Sequence, residues 1–314
     1  FRSGRVDYDL VREAKEKLFR RAFERFRPGG AFVEFRTREA FWLDDYALFR
    51  VVKAAFGNRP WFEWDMPVRR RDPDALAEVR RTRAREVRYW EFLQYVCARQ
   101  WRELRAYAAG GGVRIIGDVP YYVAYDSADV WAARERFELD GKGHRTALAG
   151  VPPDYFSRDG QLWGNPLYRW EYMRGEGYSW WINRMRRAFE LFDSVRVDHF
   201  RGFEAYWSVP AGSTTAREGR WIRGPGMDFF RALGTALGPV SIIAEDLGTI
   251  GDEVRDLRDE AGFPGMCVLQ FAFDGDRENP YLPRNVPEHS VMYTGTHDNN
   301  TSMGWFRALD DSTR

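Results

Sequence analysis

Asp193 to Phe203 reads DSVRVDHFRGF. Val195 and Val197 alternate with Arg196 and Asp198, the period-two pattern of a strand that ends in charge. Arg196 and Asp198 therefore share one face. A guanidinium beside a carboxylate favours the ionised acid and lowers its pKa, which suits a nucleophile. A strand-end ion pair without a chemical role is the plainer alternative, and the stretch alone does not separate the two.

Three further segments have the same form, an apolar run that stops at an acid. They are VRIIGD from Val113 to Asp118, VSIIAED from Val240 to Asp246 and SVMYTGTHD from Ser290 to Asp298. The intervening stretches are long enough for crossover helices, and buried strands that alternate with helices indicate a parallel sheet. In parallel barrels the strands' carboxyl ends form the active site, so acids placed there by several strands converge.

Six motifs now resemble one known family, the amylomaltases, which are 4-α-glucanotransferases of the α-amylase superfamily. They are GDVPYYVAYDSADVWA (Gly117 to Ala132), AGVPPDYFSRDGQLWGNPLY (Ala149 to Tyr168), RVDHFRGF (Arg196 to Phe203), AEDLG (Ala244 to Gly248), VLQFAFDG (Val268 to Gly275) and YTGTHDNNT (Tyr293 to Thr301). They stand in family order at family-like spacing, and the resemblance covers essentially the whole chain. Tyr125 replaces a usual histidine and Asn300 a usual aspartate, departures that bear on substrate contacts and leave the catalytic positions intact.

The resemblance implies a TIM-type (β/α)8 barrel. The strands legible here are then its third to seventh, the first two falling before Phe1 and the last beyond Arg314. Residues 1–109 read as a helical subdomain inserted in that barrel. Residues 110–314 read as the catalytic barrel portion, with a loop insertion at about 121–174. Within it, the prolines, glycines and aromatics of Gly150 to Pro166 imply an ordered loop over the site.

Local signals support the helical part. Leu10, Ala14, Leu18 and Ala22 recur at four-residue steps between Tyr8 and Phe26, and Arg38 to Phe56 also reads as helix. Asp72 followed by Pro73 is a helix start, from which the pattern runs to Ala109 and ends at Gly110 to Gly112. In the barrel part, helices are expected over Ser179 to Phe192, Gly226 to Leu237 and Asp252 to Ala261. Strands are expected up to Glu245, over Met266 to Phe273 and over Val291 to Thr294.

Composition excludes several classes. With 314 residues and 44% hydrophobic content the chain can bury a substantial core. A net charge of +1 gives no global attraction to nucleic acid or anionic membrane. The Arg-rich run from Arg69 to Arg88 is interleaved with acids and reads as a solvated helix face. The glycines at 110–112 precede a strand, where a phosphate loop needs a helix. No stretch is long enough to span a membrane. Cys97 and Cys267, both in apolar sequence surroundings, do not indicate a disulfide framework, and a reducing cytoplasm fits best. The four histidines show no metal-ligand spacing, and neither metal nor cofactor is expected.

Retaining glycosyl transfer needs two carboxyl groups ~5 Å apart, one attacking the anomeric carbon and one protonating the leaving oxygen. The resemblance makes Asp198 the nucleophile and Glu245 the acid and then base, with Asp298 stabilising the oxocarbenium-like transition state. Asp246 is the rival to Glu245 and is expected to face the other way. His199 and His297 are expected to hydrogen-bond sugar hydroxyls. Trp163 either stacks on a glucose ring or anchors its loop, and Asp154, Tyr155 and Asn165 share that ambiguity. Asp118, Arg196, Phe271 and Asn299 complete the expected substrate-binding set. Implied partners are malto-oligosaccharides and starch or glycogen chains, as donor and acceptor. Three readings stand: an α-1,4-glucan transferase, a hydrolase of the same substrate, and a non-catalytic glucan-binding protein.

Overall fold

The computed structural model describes residues 5–153, 157–248 and 250–309. Asp154 and Tyr155, both considered above as substrate contacts, lie outside the described residues. The chain forms two compact units. The first takes in the described residues of Phe1–Gly110 with Ala124–Arg134 and Gly141–His144, and the second Gly111–Val123, Glu135–Asp140 and the described residues of Arg145–Arg314.

The first unit is helical: α1 Tyr8–Arg25, α2 Gly30–Ala55, α3 Met66–Arg69, α4 Pro73–Thr82, α5 Ala84–Gly110 and α6 Ala128–Ala132. Phe32, Phe35, Leu43, Ala47, Val51 and Val52 recur at three- and four-residue steps on α2 and are buried, an amphipathic stripe facing α5. Trp61, Trp64 and Trp131 fill the space beyond it, with Trp64 and Trp131 edge to face at 5.6 Å. On α1 the expected stripe forms a helix without burying that face, for Leu10 and Leu18 are exposed. The packing runs through Phe23 and Phe26, against Tyr89 and Phe92. The expected single helix from Pro73 to Ala109 is two. The Thr82 hydroxyl donates to the Glu78 carbonyl one turn back, a bond that bends helices, and the ladder restarts at Ala84.

The second unit is α/β. Its strands are β1 Ile116–Pro120, β2 Ala147–Val151, β3 Gln161–Pro166, β4 Ser194–Asp198, β5 Ala205–Pro210, β6 Arg220–Arg223, β7 Ile242–Ala244, β8 Gly265–Val268 and β9 Ser290–Tyr293. Its helices are α7 Trp170–Gly175, α8 Ser179–Leu191, α9 Met227–Leu237, α10 Asp252–Glu260 and α11 Ser302–Ala308. β1, β4 and β7 form a parallel sheet in that order, and β8 and β9 pair in parallel beside it. Pro264 O accepts from Ala244 N at 2.9 Å, which brings β8 alongside β7. Val195 and Val197 of β4 are buried together with Ser194 and Arg196, so both faces of the strand are covered, as parallel sheets require. Trp181, Ile182, Met185 and Ala188 make the buried stripe of α8.

The core beneath the sheet is aromatic. Phe203 stacks on Phe229 at 5.0 Å, and Tyr121, Trp170 and Trp181 close around them. Gly202 is needed there, since a Cβ would lie 2.7 Å from the Tyr121 ring, whose hydroxyl donates to Gly202 O at 2.7 Å. Tyr121 is thereby locked under the turn that follows Asp198.

Three expectations change. The first strand lies at Ile116–Pro120 rather than ending at Asp118, because its register follows β4, Ile116 opposite Ser194 and Pro120 opposite Asp198. The strand expected over Met266 to Phe273 stops at Val268 opposite Tyr293, where its partner strand ends, and turns through Leu269–Phe271. The segment expected as an ordered loop instead supplies β2 and β3, which join β5 and β6 in an antiparallel sheet of order β3-β2-β5-β6. Cys97 is exposed, not in apolar surroundings, whereas Cys267 is buried. Among the described residues no helix is long and apolar enough to cross a membrane.

Candidate active site

Arg196 stands at the centre of a cluster of acids. In the β1·β4 register it lies opposite Asp118, and its guanidinium meets Asp118 Oδ2 at 2.7 Å, Asp198 Oδ1 at 2.8 Å and Asp298 Oδ2 at 3.7 Å. Burial works against its charge, but the hydrogen bond to Asp118 and the fields of Asp198, Asp118 and Glu245 outweigh it and raise its pKa. The acids converge on a guanidinium, which fills the place a bound cation would take. Among the described residues no group of three or more His, Cys, Asp or Glu side chains is arranged to hold a metal ion.

Asp198 ends β4 and Glu245 directly follows β7, the adjacent strand. Backbone bonds tie them: Glu245 N donates to Val197 O at 3.0 Å and Phe200 N to Glu245 O at 3.1 Å. The pKa of Asp198 is raised, not lowered as its arginine neighbour alone would dictate. Burial is the largest cause, Arg196 pulls down, and the negative charges of Asp118 and Asp298 push up. The arginine expected from sequence is present, but desolvation and the fields of the other acids outweigh it.

Glu245 is pushed up to about 7, first by burial and then by the charge of Asp198, against the pull of two backbone hydrogen bonds and Arg196. Those bonds come from His199 N to Oε2 at 2.7 Å and Leu247 N to Oε1 at 3.0 Å. A carboxyl poised there exchanges a proton in either direction at neutral pH. Asp246 points the other way, bonded to Arg258 Nη1 at 2.6 Å and Met266 N at 2.8 Å.

Asp198, Glu245 and Asp298 line one cavity of about 620 Å³ with Arg196, His199, Trp163, Phe271 and Asn299. His199, in the left-handed region at φ 55°, is buried with its Nε2 unpartnered among the described residues. Its ring is edge to face with Trp163 at 4.8 Å, and Tyr121 and Tyr122 close around it. Burial, followed by the charge of Arg201, pulls its pKa down to about 3, so it is neutral at ordinary pH. Trp163, on β3, is 39% exposed, and its Nε1 donates to Gln161 Oε1 at 3.1 Å. Asn299 Oδ1 accepts from Thr296 N and Oγ1, both at 2.9 Å, which folds the turn that carries Asp298.

The other expected residues stand apart from the cavity wall. Asp118 lies behind Arg196. His297, largely exposed, has its Nε2 3.5 Å from Asp118 and 3.4 Å from Asp298. Asn165 donates to Val123 O at 2.8 Å and is not on the wall. Tyr125, one of the two departures, belongs to the helical unit, where it stacks on Phe62 at 4.2 Å. Arg201, Trp221 and Gln161 line the cavity and were not singled out from sequence. Arg201 and Gln161 lay inside quoted motifs, whereas Trp221 carried no signal.

The chain is similar to proteins of known activity. Residues 2–314 match the family described as 4-alpha-glucanotransferase. The chain is 52% identical over 315 residues to the 4-alpha-glucanotransferase of Thermus thermophilus, covering 98% of this chain and 63% of that protein. It is 49% identical to the 4-alpha-glucanotransferase of a Synechocystis species, covering all of this chain and 64% of the relative. The chain thus spans less than two thirds of the length of these curated relatives. Among solved structures it resembles an amylomaltase from Streptococcus agalactiae in complex with acarbose, with a TM-score of 0.93 and 38% identity, covering 98% of this chain and 63% of that one.

Proposed function

The chain belongs to the 4-alpha-glucanotransferase family, and from that membership we propose that the protein transfers α-1,4-glucan segments between malto-oligosaccharides by retaining double displacement. Asp198 is the nucleophile. Protonated Glu245 gives its proton to the glycosidic oxygen as the Asp198 carboxylate attacks C1, releasing the reducing-end fragment and leaving a glycosyl-enzyme. The Glu245 carboxylate then takes the proton of an acceptor 4-hydroxyl, which attacks C1 and breaks the bond to Asp198. Asp298 stabilises the positive charge that develops at each transition state.

One observation carries this reading. Glu245, half-buried, is held at about pKa 7 in the same cavity as Asp198, at the end of the strand next to it, which gives one carboxyl for the proton and one for the bond. His199, neutral with a free Nε2, accepts or donates to a sugar hydroxyl, and Trp163 and Phe271 offer apolar faces to the rings. Arg196 holds Asp198 and Asp298 in place, with Asp118 fixing the guanidinium from behind. His297 and Asp154 add hydroxyl contacts. Asn165 and Asn299 act through the backbone positions they hold.

The parallel strands β1, β4, β7, β8 and β9 are read as the third to seventh strands of a (β/α)8 barrel, into which the helical unit is inserted. Malto-oligosaccharides and starch or glycogen chains are the proposed donors and acceptors, and the free cysteines fit a reducing cytoplasm. Incubation of the protein, with its full natural termini, with maltotriose tests the reading. Longer and shorter oligosaccharides at constant reducing ends mark a transferase. Net new reducing ends mark a hydrolase, and binding without turnover a glucan-binding protein.

A further inference from the structure

Trp221 lies outside every motif that the sequence brought forward. It sits on β6, the edge strand of the antiparallel sheet, opposite Trp207 of β5, with ring centroids 5.1 Å apart. It lines the cavity that holds Asp198 and Glu245, and 40% of it stays exposed. The Arg201 guanidinium stands over its ring, 3.9 Å from the centroid.

The strand is held at both ends. Gly224 N donates to Glu204 O at 2.7 Å and Gly226 N to Phe203 O at 2.8 Å. At the other end Gly219 lies so close to the Trp207 indole that a Cβ would sit 2.4 Å from it. Trp207 is itself fixed by its Nε1 bond to Ala216 O at 2.9 Å. Trp221 is therefore a positioned surface rather than a loose one.

A fixed indole left open in a cavity lined by both charged and apolar groups suits a ligand with an apolar face and hydrogen-bonding edges, the description of a pyranose. The guanidinium that stands over one face of the indole helps to hold its plane in place. Trp163, on β3 at the opposite edge of the same sheet, packs on His199 beside Asp198, whereas Trp221 packs on Trp207 and Arg201. In the order β3-β2-β5-β6 their strands are three spacings apart, ~14 Å at ~4.8 Å each, more than one sugar ring spans.

We infer that Trp221, backed by Arg201, is a second stacking platform that binds a glucosyl unit remote from the scissile bond and gives the site its preference for longer chains. The inference rests on the glucan-transfer reading above. It is tested by kcat/KM for maltotriose and maltoheptaose as donors, in the protein with its full natural termini and in Trp221→Ala, Trp221→Leu and Trp221→Phe. The maltoheptaose-to-maltotriose ratio is expected to fall about tenfold in Ala and Leu, through KM, and to return toward the parent value in Phe. Leu keeps bulk without a flat face and covers the case in which Ala loosens the strand. An unchanged ratio in folded Ala or Leu variants, or a Phe variant as impaired as Leu, overturns the inference. A parent protein that makes no longer and shorter oligosaccharides from maltotriose overturns the transfer reading instead.

Discussion

His199 N donates a 2.7 Å hydrogen bond to Glu245 Oε2, so the residue that follows Asp198 holds the carboxyl proposed to work with it. The left-handed backbone at His199 turns that N–H back toward β7. Positioning of the proposed acid is thus coupled through one peptide unit to that of the proposed nucleophile, the kind of fixed geometry on which proximity effects depend.

Glu245→Gln should lower transfer from maltotriose by at least about three decades, since it removes both proton steps. Formation of the glycosyl-enzyme from α-maltosyl fluoride should survive, because fluoride leaves without a proton. The comparison of burst rates on the two donors checks this, and equal loss on both would assign Glu245 another role.

The same variant should change stability in a pH-dependent way. The folded pKa of Glu245 is about 7, above its ordinary value of 4.5, so the stability it contributes is full below pH ~4.5 and is lost as pH rises through 7. Glutamine carries no such penalty. At pH 8 Glu245→Gln should melt above the parent, by a few degrees, while near pH 4 the difference should all but vanish; thermal denaturation at the two values measures it.

Asp246→Asn should separate the neighbours Asp246 and Glu245. Asp246 is buried against Arg258 and holds the β8 backbone, and loss of its charge leaves that arginine to the more exposed Asp259, at a cost of about 2 kcal/mol. A lower Tm is expected, with kcat of the folded protein within about tenfold of the parent. A dead but fully stable variant would show that the two acids have been assigned the wrong way round.

Trp163→Ala should shift products from transfer toward hydrolysis. Water at ~55 M competes with an acceptor at about millimolar concentration, so clean transfer needs discrimination on the order of 10⁵, or roughly 7 kcal/mol in barrier height. Acceptor orientation supplies a term of that size when the wall also excludes water. The ratio of hydrolysis to transfer should rise, with the rate of glycosyl-enzyme formation changed less. An unchanged ratio would make Trp163 a packing residue for His199.

The legible part of this chain was what local periodicity and short motifs carry. Val195 and Val197 gave β4, the acids at the ends of apolar runs gave the cluster around Arg196, and Asp72-Pro73 gave the start of α4. Pairing between distant segments was not legible. β2 and β3 join β5 and β6 only through register across some sixty residues, and prolines and glycines in Gly150 to Pro166 read as loop. Desolvation was also invisible, so Asp198 was expected to titrate low and is raised. Trp221 was missed because one tryptophan among 13 announces nothing until its neighbours are known.

A nucleophilic Asp198 forms a covalent bond to a glucosyl C1. Incubation of Glu245→Gln with α-maltosyl fluoride, followed by digestion and mass spectrometry, tests it directly. One maltosyl unit per chain is expected, on the peptide containing Arg196 to Arg201 and mapped to Asp198. A label on Asp118, Glu245 or Asp298, or turnover with no covalent adduct and inverted product, would contradict it.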